Sequence, residues 1–274
     1  MLNDITIGQY FPAKSVIHRM DARIKILLLI AVLVMTFVAS NAASMALMVV
    51  LVMTAIILSR VPLKIYFRTI KKIWVLILLT AVLNILYVDG EAIFEWGVIE
   101  ITKEGIVRSV YMAIRIILLI ISSAALTYTT SPTQLTDGIE RLLKPLSLIG
   151  LGGAVHTMAM MMTLALRFIP TLMEETDKIM SAQKARGADL ESGGFMQRIK
   201  ALIPIFVPLL VSSFRRAVEL ADAMECRCYT GGSGRTRLNN PKAGVRDLIS
   251  SIIVILVIAA VITLNITLKG IIWF

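Results

Sequence analysis

Long runs of apolar residues, separated by short polar stretches, dominate the pattern of this chain. They cover residues 24–39, 42–59, 73–88, 106–129 and 248–268. A helix needs about 20 mostly apolar residues to cross a hydrocarbon core that is ~30 Å thick. The pattern therefore predicts about five transmembrane helices, with the first and the third at the short end of the usual range.

The composition supports this interpretation. Hydrophobic residues make up 57% of the 274 positions, charged residues make up 17%, and the mean hydropathy is +0.83. Soluble domains contain about 45–50% apolar and 25% charged residues, so a soluble fold is excluded. The net charge of +10 is attributed to the cytoplasmic loops of a membrane protein. The expected surroundings are the lipid bilayer, and nucleic acid is not an expected partner.

Loop charge predicts the orientation. Residues 60–72 contain five basic and no acidic residues, whereas residues 89–104 contain five acidic residues and one lysine. Basic loops stay on the cytoplasmic side of a membrane. This bias predicts a multi-pass protein of the cell (cytoplasmic) membrane, with its N-terminus and residues 131–247 in the cytoplasm and its C-terminus outside.

Residues 131–247 differ from the rest, because 15 Lys/Arg and 11 Asp/Glu interrupt their apolar runs. The runs at 158–166 and 201–211 are short, and Pro170, Pro204 and Pro208 break this part of the sequence further. They predict long amphipathic helices under or partly in the inner leaflet rather than crossings. A helix start signal at Ser131-Pro132 predicts one more helix before them.

These patterns predict an all-α membrane protein with about five spans and three amphipathic helices between the fourth and the last span. Residues 1–130 form a membrane domain of four spans, residues 131–247 form a cytoplasmic region, and residues 248–274 form the last transmembrane helix.

Two stretches of residues 131–247 resemble each other. Each is an apolar helix that gains charge toward its end and finishes with an arginine between small residues, followed by glycines. The two arginine motifs are Ala185-Arg186-Gly187 and Cys226-Arg227-Cys228. Small neighbours allow a partner to approach the backbone, and a guanidinium can grip carboxylates or carbonyls with two hydrogen bonds. The pair predicts two matching docking contacts rather than one active site.

The sequence offers little for catalysis or for metal and cofactor binding. No glycine stretch is followed by Lys-Ser/Thr, so no phosphate loop is present. Ser233 lacks the strand–turn–helix setting of a nucleophile elbow. The two cysteines could give a metal only two of about four ligands. We expect a non-catalytic chain without a cofactor or metal.

Arg115 is the one membrane-embedded arginine that needs a role. It lies about ten residues from the external end of span four, which predicts a position near the middle of the bilayer. An arginine there is a functional candidate by default. Since no intramembrane acid or histidine accompanies it, a structural bond to a carbonyl or a hydroxyl of a neighbouring helix is favoured over a solute path.

Several motifs together resemble the transmembrane T component (EcfT/CbiQ family) of energy-coupling factor (ECF) ABC transporters. The two arginine motifs belong to this resemblance, which covers essentially the whole chain. The other motifs are Phe11-Pro12-Ala13-Lys14-Ser15, His18-Arg19, Asp21, Arg23 and Lys25, then Leu166-Arg167-Phe168-Ile169-Pro170, Ala182-Gln183 and Ala223-Met224-Glu225.

The resemblance implies an energy-coupling role in the uptake of a vitamin or other micronutrient, with residues 131–247 as a cytoplasmic coupling region of three amphipathic coupling helices. Two ABC-type ATPase subunits (EcfA and EcfA'-like) are expected to dock on the two arginine motifs, and to bind ATP and Mg and hydrolyse the ATP. A substrate-binding membrane S component is expected on the apolar faces of the helices. The residues assigned to those faces are Met161, Leu164, Ile203 and Val207.

The second arginine motif departs from the family pattern, because cysteines stand where Ala and Gly are usual. Loss of glycine at position 228 puts in question any backbone geometry that needs a positive φ. The alternative function is a self-contained secondary transporter, which would need inverted repeats and broken helices around a midplane site. An intramembrane enzyme would need several convergent polar residues within the spans.

Overall fold

The computed structural model describes residues 10–88, 92–96, 99–145, 150, 152–188, 194–231 and 244–268. This part of the chain folds into eight α-helices and one antiparallel hairpin. The helices are α1 (Ala22–Val38), α2 (Ala42–Ser59), α3 (Leu63–Tyr87), α4 (Lys103–Thr129), α5 (Pro132–Leu143), α6 (Gly152–Ala185), α7 (Phe195–Glu225) and α8 (Val245–Thr267). The hairpin joins α3 to α4 and pairs β1 (Ala92–Trp96) with β2 (Ile99–Thr102). The predicted all-α architecture is confirmed, and the short hairpin is an addition that the sequence did not predict.

Helix starts follow local capping chemistry. The Asp21 carboxylate accepts a hydrogen bond from the amide of Arg23 (3.0 Å) and caps α1. The Thr102 hydroxyl accepts one from the amide of Gly105 (3.0 Å) and caps α4. Each cap satisfies one of the amides that the first turn of a helix leaves without a partner.

Most predicted spans are observed as helices with nearly the expected bounds. The helices α1, α2, α4 and α8 begin and end within three residues of the predicted runs. In contrast, α3 begins at Leu63, ten residues before its predicted run. Lysine and arginine are good helix formers, so the basic residues that end an apolar run do not end a helix.

Six of the described helices are long and apolar enough to cross a membrane: α2, α3, α4, α6, α7 and α8. The helix α1, with 17 residues, is not among them. This count is compatible with the predicted multi-pass protein of about five spans, but the set includes two of the expected coupling helices.

The expectation that prolines break those two helices is wrong. The helix α6 runs through Pro170 for 34 residues, and α7 runs through Pro204 and Pro208 for 31 residues. A proline removes only its own amide from the hydrogen-bond ladder, and long apolar helices tolerate it where packing stabilises the flanking turns.

The described residues belong to two compact units. One unit draws on Gly8–Gly138 and Asn239–Phe274, and the other contains Ile139–Leu238. In the first unit α1, α2, α4 and α8 form a bundle, and α3 packs along α4. Its core is built from apolar side chains that include Met48, Val52, Ile56, Leu118 and Val261. In the second unit α6 packs against α7.

Arg115 is hydrogen-bonded to the end of a neighbouring helix. Its Nη2 donates to the backbone oxygen of Ala39 (2.9 Å), which caps the C-terminal end of α1. The position of Arg115 near the middle of the bilayer stays a prediction. The bond to a carbonyl agrees with the structural role.

The N-terminal motif forms a buried polar cluster in the first unit. The His18 ring is hydrogen-bonded to the Ser15 hydroxyl (2.7 Å) and to the backbone oxygen of Phe11 (2.9 Å). The Lys25 ammonium donates to the backbone oxygen of Thr129 (2.9 Å) in α4. The buried carboxylate of Asp247 in α8 accepts from the amide of Asp21 (3.2 Å). These bonds tie the N-terminal segment to α4 and α8, so this motif maintains the bundle.

Candidate docking site at two helix ends

The first arginine motif forms a tight C-terminal cap on α6. The helix ends at Ala185, Arg186 follows as the cap residue, and Gly187 adopts the left-handed conformation with φ of 86°. The Gly187 amide donates to the oxygen of Lys184 (3.0 Å), and the Ala188 amide donates to the oxygen of Gln183 (3.0 Å). This pair of bonds is a Schellman motif, which satisfies the last carbonyls of a helix.

The second arginine motif repeats that geometry on α7. The Cys228 amide donates to the oxygen of Glu225 (2.8 Å), and the Tyr229 amide donates to the oxygen of Met224 (3.0 Å). Cys228 occupies the left-handed position with φ of 55°. The question raised by the missing glycine therefore has an answer: the backbone keeps its shape although a cysteine is present. Arg227 directly precedes the left-handed residue, as Arg186 does, although α7 itself ends at Glu225 with Cys226 as its cap residue.

Both arginine side chains are available to a partner. Arg186, Gly187, Cys226, Arg227 and Cys228 are exposed, as is Ala185. Within the described ranges, neither guanidinium has a hydrogen bond or an ion pair to another side chain. An added Cβ at Gly187 would meet no atom within 4 Å. The glycine is thus required by the backbone conformation and not by packing inside this chain.

The helices α6 and α7 run antiparallel. The Glu175 carboxylate of α6 accepts hydrogen bonds from the Ser212 hydroxyl and from Arg216 Nη2 (2.7 Å), both on α7. Further toward the end of α6, the Gln183 amide group approaches the backbone oxygen of Pro204 (3.5 Å). From Glu175 to Gln183 the residue number on α6 rises, whereas that of the contacted residue on α7 falls from Arg216 to Pro204. The two helices are therefore antiparallel.

This packing separates the two arginine motifs. Arg186 lies 11 residues beyond Glu175, and Arg227 lies 15 residues beyond Ser212. At 1.5 Å per residue, the two motifs are up to roughly 40 Å apart along the helix pair. One binding groove cannot hold both arginines at that distance.

The residues assigned to the S component lie on the same two helices. Met161, Ile203 and Val207 are exposed, and Leu164 is half-buried. Their role is not tested by the structure and stays a prediction. On α7 the exposed apolar face extends beyond the predicted Ile203 and Val207. It also carries residues at every fourth position: Leu202, Phe206, Leu210, Phe214 and Val218. Their i,i+4 spacing is the signal that could have identified them.

The described residues offer no alternative metal centre, since no three His, Cys, Asp or Glu side chains among them lie close enough to hold an ion. Among the described residues, the two helix ends with their free guanidinium groups are the arrangement best suited to binding a partner protein.

Comparison with known proteins identifies the family of this chain. Residues 13–238 match the family CbiQ, described as "Cobalt transport protein". A relative from Clostridium kluyveri is named energy-coupling factor transporter transmembrane protein EcfT. It is 51% identical over 254 residues, which cover 92% of this chain and 93% of the relative. A relative from Bacillus subtilis with the same name is 42% identical over 261 residues, which cover 95% and 97%.

These matches extend over nearly the full length of both chains. They confirm the family suggested by the separated sequence motifs. The chain belongs to the CbiQ family, and with its EcfT relatives it is an energy-coupling transmembrane component of ECF transporters.

Proposed function

We propose that this chain links two ABC-type ATPase subunits to a separate substrate-binding S component, and that the assembly imports a vitamin or another micronutrient. ATP and Mg²⁺ bind to the ATPases, which carry out the hydrolysis. The observation that supports this proposal most directly is the repeated helix end, with an exposed arginine directly before the left-handed residue that follows α6 and α7.

Each helix end has the shape and the chemistry to bind in a groove of an ATPase subunit. The Schellman cap satisfies the last carbonyls within the chain, so the end can be desolvated at low cost. The small residues at 185, 187, 226 and 228 let the groove wall approach. The guanidinium then forms two parallel hydrogen bonds to a carboxylate or to carbonyls of the ATPase.

The two separated helix ends provide one binding site for each of the two ATPase subunits. A pair of ATPases that closes on ATP changes the distance or the angle between its two grooves. Because α6 and α7 are tied by the Glu175–Arg216 ion pair, a displacement of the two ends turns the helix pair as one body. The exposed apolar face of α7 moves with it and reorients the S component.

Co-isolation tests the separation of the two surfaces. In a complex purified through the ATPases, the Met161→Glu, Val207→Glu double variant should lose the S component and retain the ATPases, because charged side chains cannot be buried against an apolar partner. Lys178→Glu, which changes an exposed residue of α6, is the control and should retain both partners. Simultaneous loss of both partners in the double variant contradicts two separate surfaces. If the purified chain binds and transports a solute without partners, the result supports the alternative of a secondary transporter instead.

The proposed orientation can be tested with the native thiols. Cys226 and Cys228 are the two cysteines of the chain, and both are free and exposed. In cells that make this chain without the ATPases, which would otherwise cover the thiols, a membrane-impermeant maleimide should label them in inside-out vesicles and leave them unlabelled in intact cells. In a chain with Cys226→Ser and Cys228→Ser, the Glu95→Cys variant should show the opposite pattern. Labelling of the native thiols in intact cells rules out a cytoplasmic location for the arginine motifs.

A further inference from the structure

An apolar cavity in the first unit lies next to a pocket of positive charge. The cavity has a volume of about 440 Å³ and lies among α1, α2, α4 and α8. Its walls are almost entirely apolar, with Leu28, Leu51, Leu126 and Val254 among them. The neighbouring pocket shares the walls Val16 and Leu58 with the cavity, so the two spaces adjoin.

The second pocket collects four cations from three separate segments. Lys14 and Arg19 come from the N-terminal segment, Arg60 follows α2, and Arg246 lies in the first turn of α8. All four are exposed, and none has an ion pair or a side-chain hydrogen bond within the described ranges. The nearby carboxylates do not offset them. Asp21 pairs with Arg23, and the buried carboxylate of Asp247 accepts backbone amides.

The backbone at Arg60 points to a role for its side chain. Arg60 adopts φ of 56° at the C-terminal end of α2. In this left-handed conformation an L-residue is strained by about 1–2 kcal/mol, and glycine is the usual choice. An arginine at this position brings a charge to the pocket where glycine would give the more relaxed turn.

We propose that this composite site binds one anionic phospholipid of the cytoplasmic leaflet. The phosphate lies among Lys14, Arg19, Arg60 and Arg246, and one acyl chain fills the cavity. Basic pockets on the cytoplasmic side of helix bundles hold anionic headgroups in this way.

The opening of the cavity fits a lipid better than a soluble anion. Val16, Leu58 and Ile253, which line it, are 41%, 48% and 50% exposed. An acyl chain can enter from the bilayer between these side chains while its headgroup stays at the surface. A free phosphate would use the charges but leave the adjoining apolar space empty.

Lipid titration of the purified full-length chain tests the proposal. The chain in a neutral detergent is mixed with dipalmitoyl phosphatidylglycerol, with dipalmitoyl phosphatidylcholine, or with inorganic phosphate. Binding is measured by native mass spectrometry and by the shift of the unfolding temperature. Phosphatidylglycerol should bind at least tenfold more tightly than phosphatidylcholine, and phosphate should give no comparable shift.

Variants separate the two halves of the site. Lys14→Gln with Arg60→Gly should weaken phosphatidylglycerol binding by roughly 25-fold, since each basic residue near a charged membrane surface contributes about a factor of five. Arg60→Gly also relieves the left-handed strain, so this variant should fold. Thr54→Phe narrows the exposed mouth of the cavity and should reduce binding of both lipids.

The control is Lys64→Gln with Arg68→Gln, which removes two exposed charges of α3 outside the pocket. It should bind phosphatidylglycerol like the unchanged chain. The proposal would be overturned by equal affinity for the two lipids, or by a shift of the unfolding temperature with phosphate as large as that with phosphatidylglycerol. It would also be overturned by an equal loss of phosphatidylglycerol binding in the control and in the pocket variant.

Discussion

At the scale of single residues, Cys228 shows how the chain keeps a backbone shape without its usual residue. Gly187 and Cys228 hold the same position in two identical caps, with φ of 86° and 55°. Glycine adopts this conformation at little steric cost, whereas a cysteine is strained by about 1–2 kcal/mol. The second helix end is therefore held less firmly than the first.

This asymmetry predicts opposite effects for two substitutions. Cys228→Gly should stabilise the end of α7 by about 1 kcal/mol, and Gly187→Ala should destabilise the end of α6 by a similar amount. Since a Cβ at Gly187 has open space around it, the change acts on the backbone alone. Hydrogen exchange of the Ala188 and Tyr229 amides, which close the two caps, measures both effects. Unchanged exchange in Gly187→Ala would show that the cap does not depend on the left-handed residue.

At the scale of elements, the proposed function requires the antiparallel pair of α6 and α7 to move as one body. Three polar side chains, those of Glu175, Ser212 and Arg216, join the C-terminal half of α6 to the C-terminal half of α7. The Glu175–Arg216 ion pair is partly exposed, with 20% and 34% of the two side chains accessible. Its net contribution is therefore about 1 kcal/mol rather than that of a fully buried charge pair.

A charge exchange tests whether this ion pair joins the two helices. Glu175→Arg and Arg216→Glu should each lower the unfolding temperature and uncouple ATP hydrolysis from uptake, because each places two like charges together. The double variant restores opposite charges and should recover part of both properties, with a coupling energy of about 0.5–3 kcal/mol. Arg215→Glu, at an exposed neighbouring position, serves as the control. If the costs of the two single variants simply add, the helices are not joined through this ion pair.

At the scale of the whole molecule, much of the fold could be predicted because the bilayer constrains it strongly. A crossing helix must be apolar over a fixed length, so the bounds of α1, α2, α4 and α8 followed from the runs. The start of α3 did not, because Lys64 and Arg68 interrupt an apolar run without interrupting a helix. The prolines of α6 and α7 were misleading for a related reason: packing decides whether a helix continues through them.

The candidate site could likewise be predicted only in part from the sequence. The pairing of Arg186 with Arg227 was visible in the sequence, because both arginines stand between small residues at the end of a helix. The left-handed backbone at Cys228 was not, since a cysteine gives no local signal for positive φ. The buried cluster around His18 and Asp247 also escaped prediction, because it joins residues more than 200 positions apart.

The central claim is that Arg186 and Arg227 hold the ATPases, and one set of variants tests it most directly. Uptake and retention of the ATPases are measured together in Arg186→Ala, Arg227→Ala and the double variant, with Arg215→Ala as an exposed control on α7. Loss of one partner of a desolvated charge contact costs about 2–5 kcal/mol. Each single variant should therefore lose coupling or assembly, the double variant should lose more, and Arg→Lys should restore little because an ammonium lacks the planar fork. Full uptake with both ATPases retained in the double variant would contradict the account.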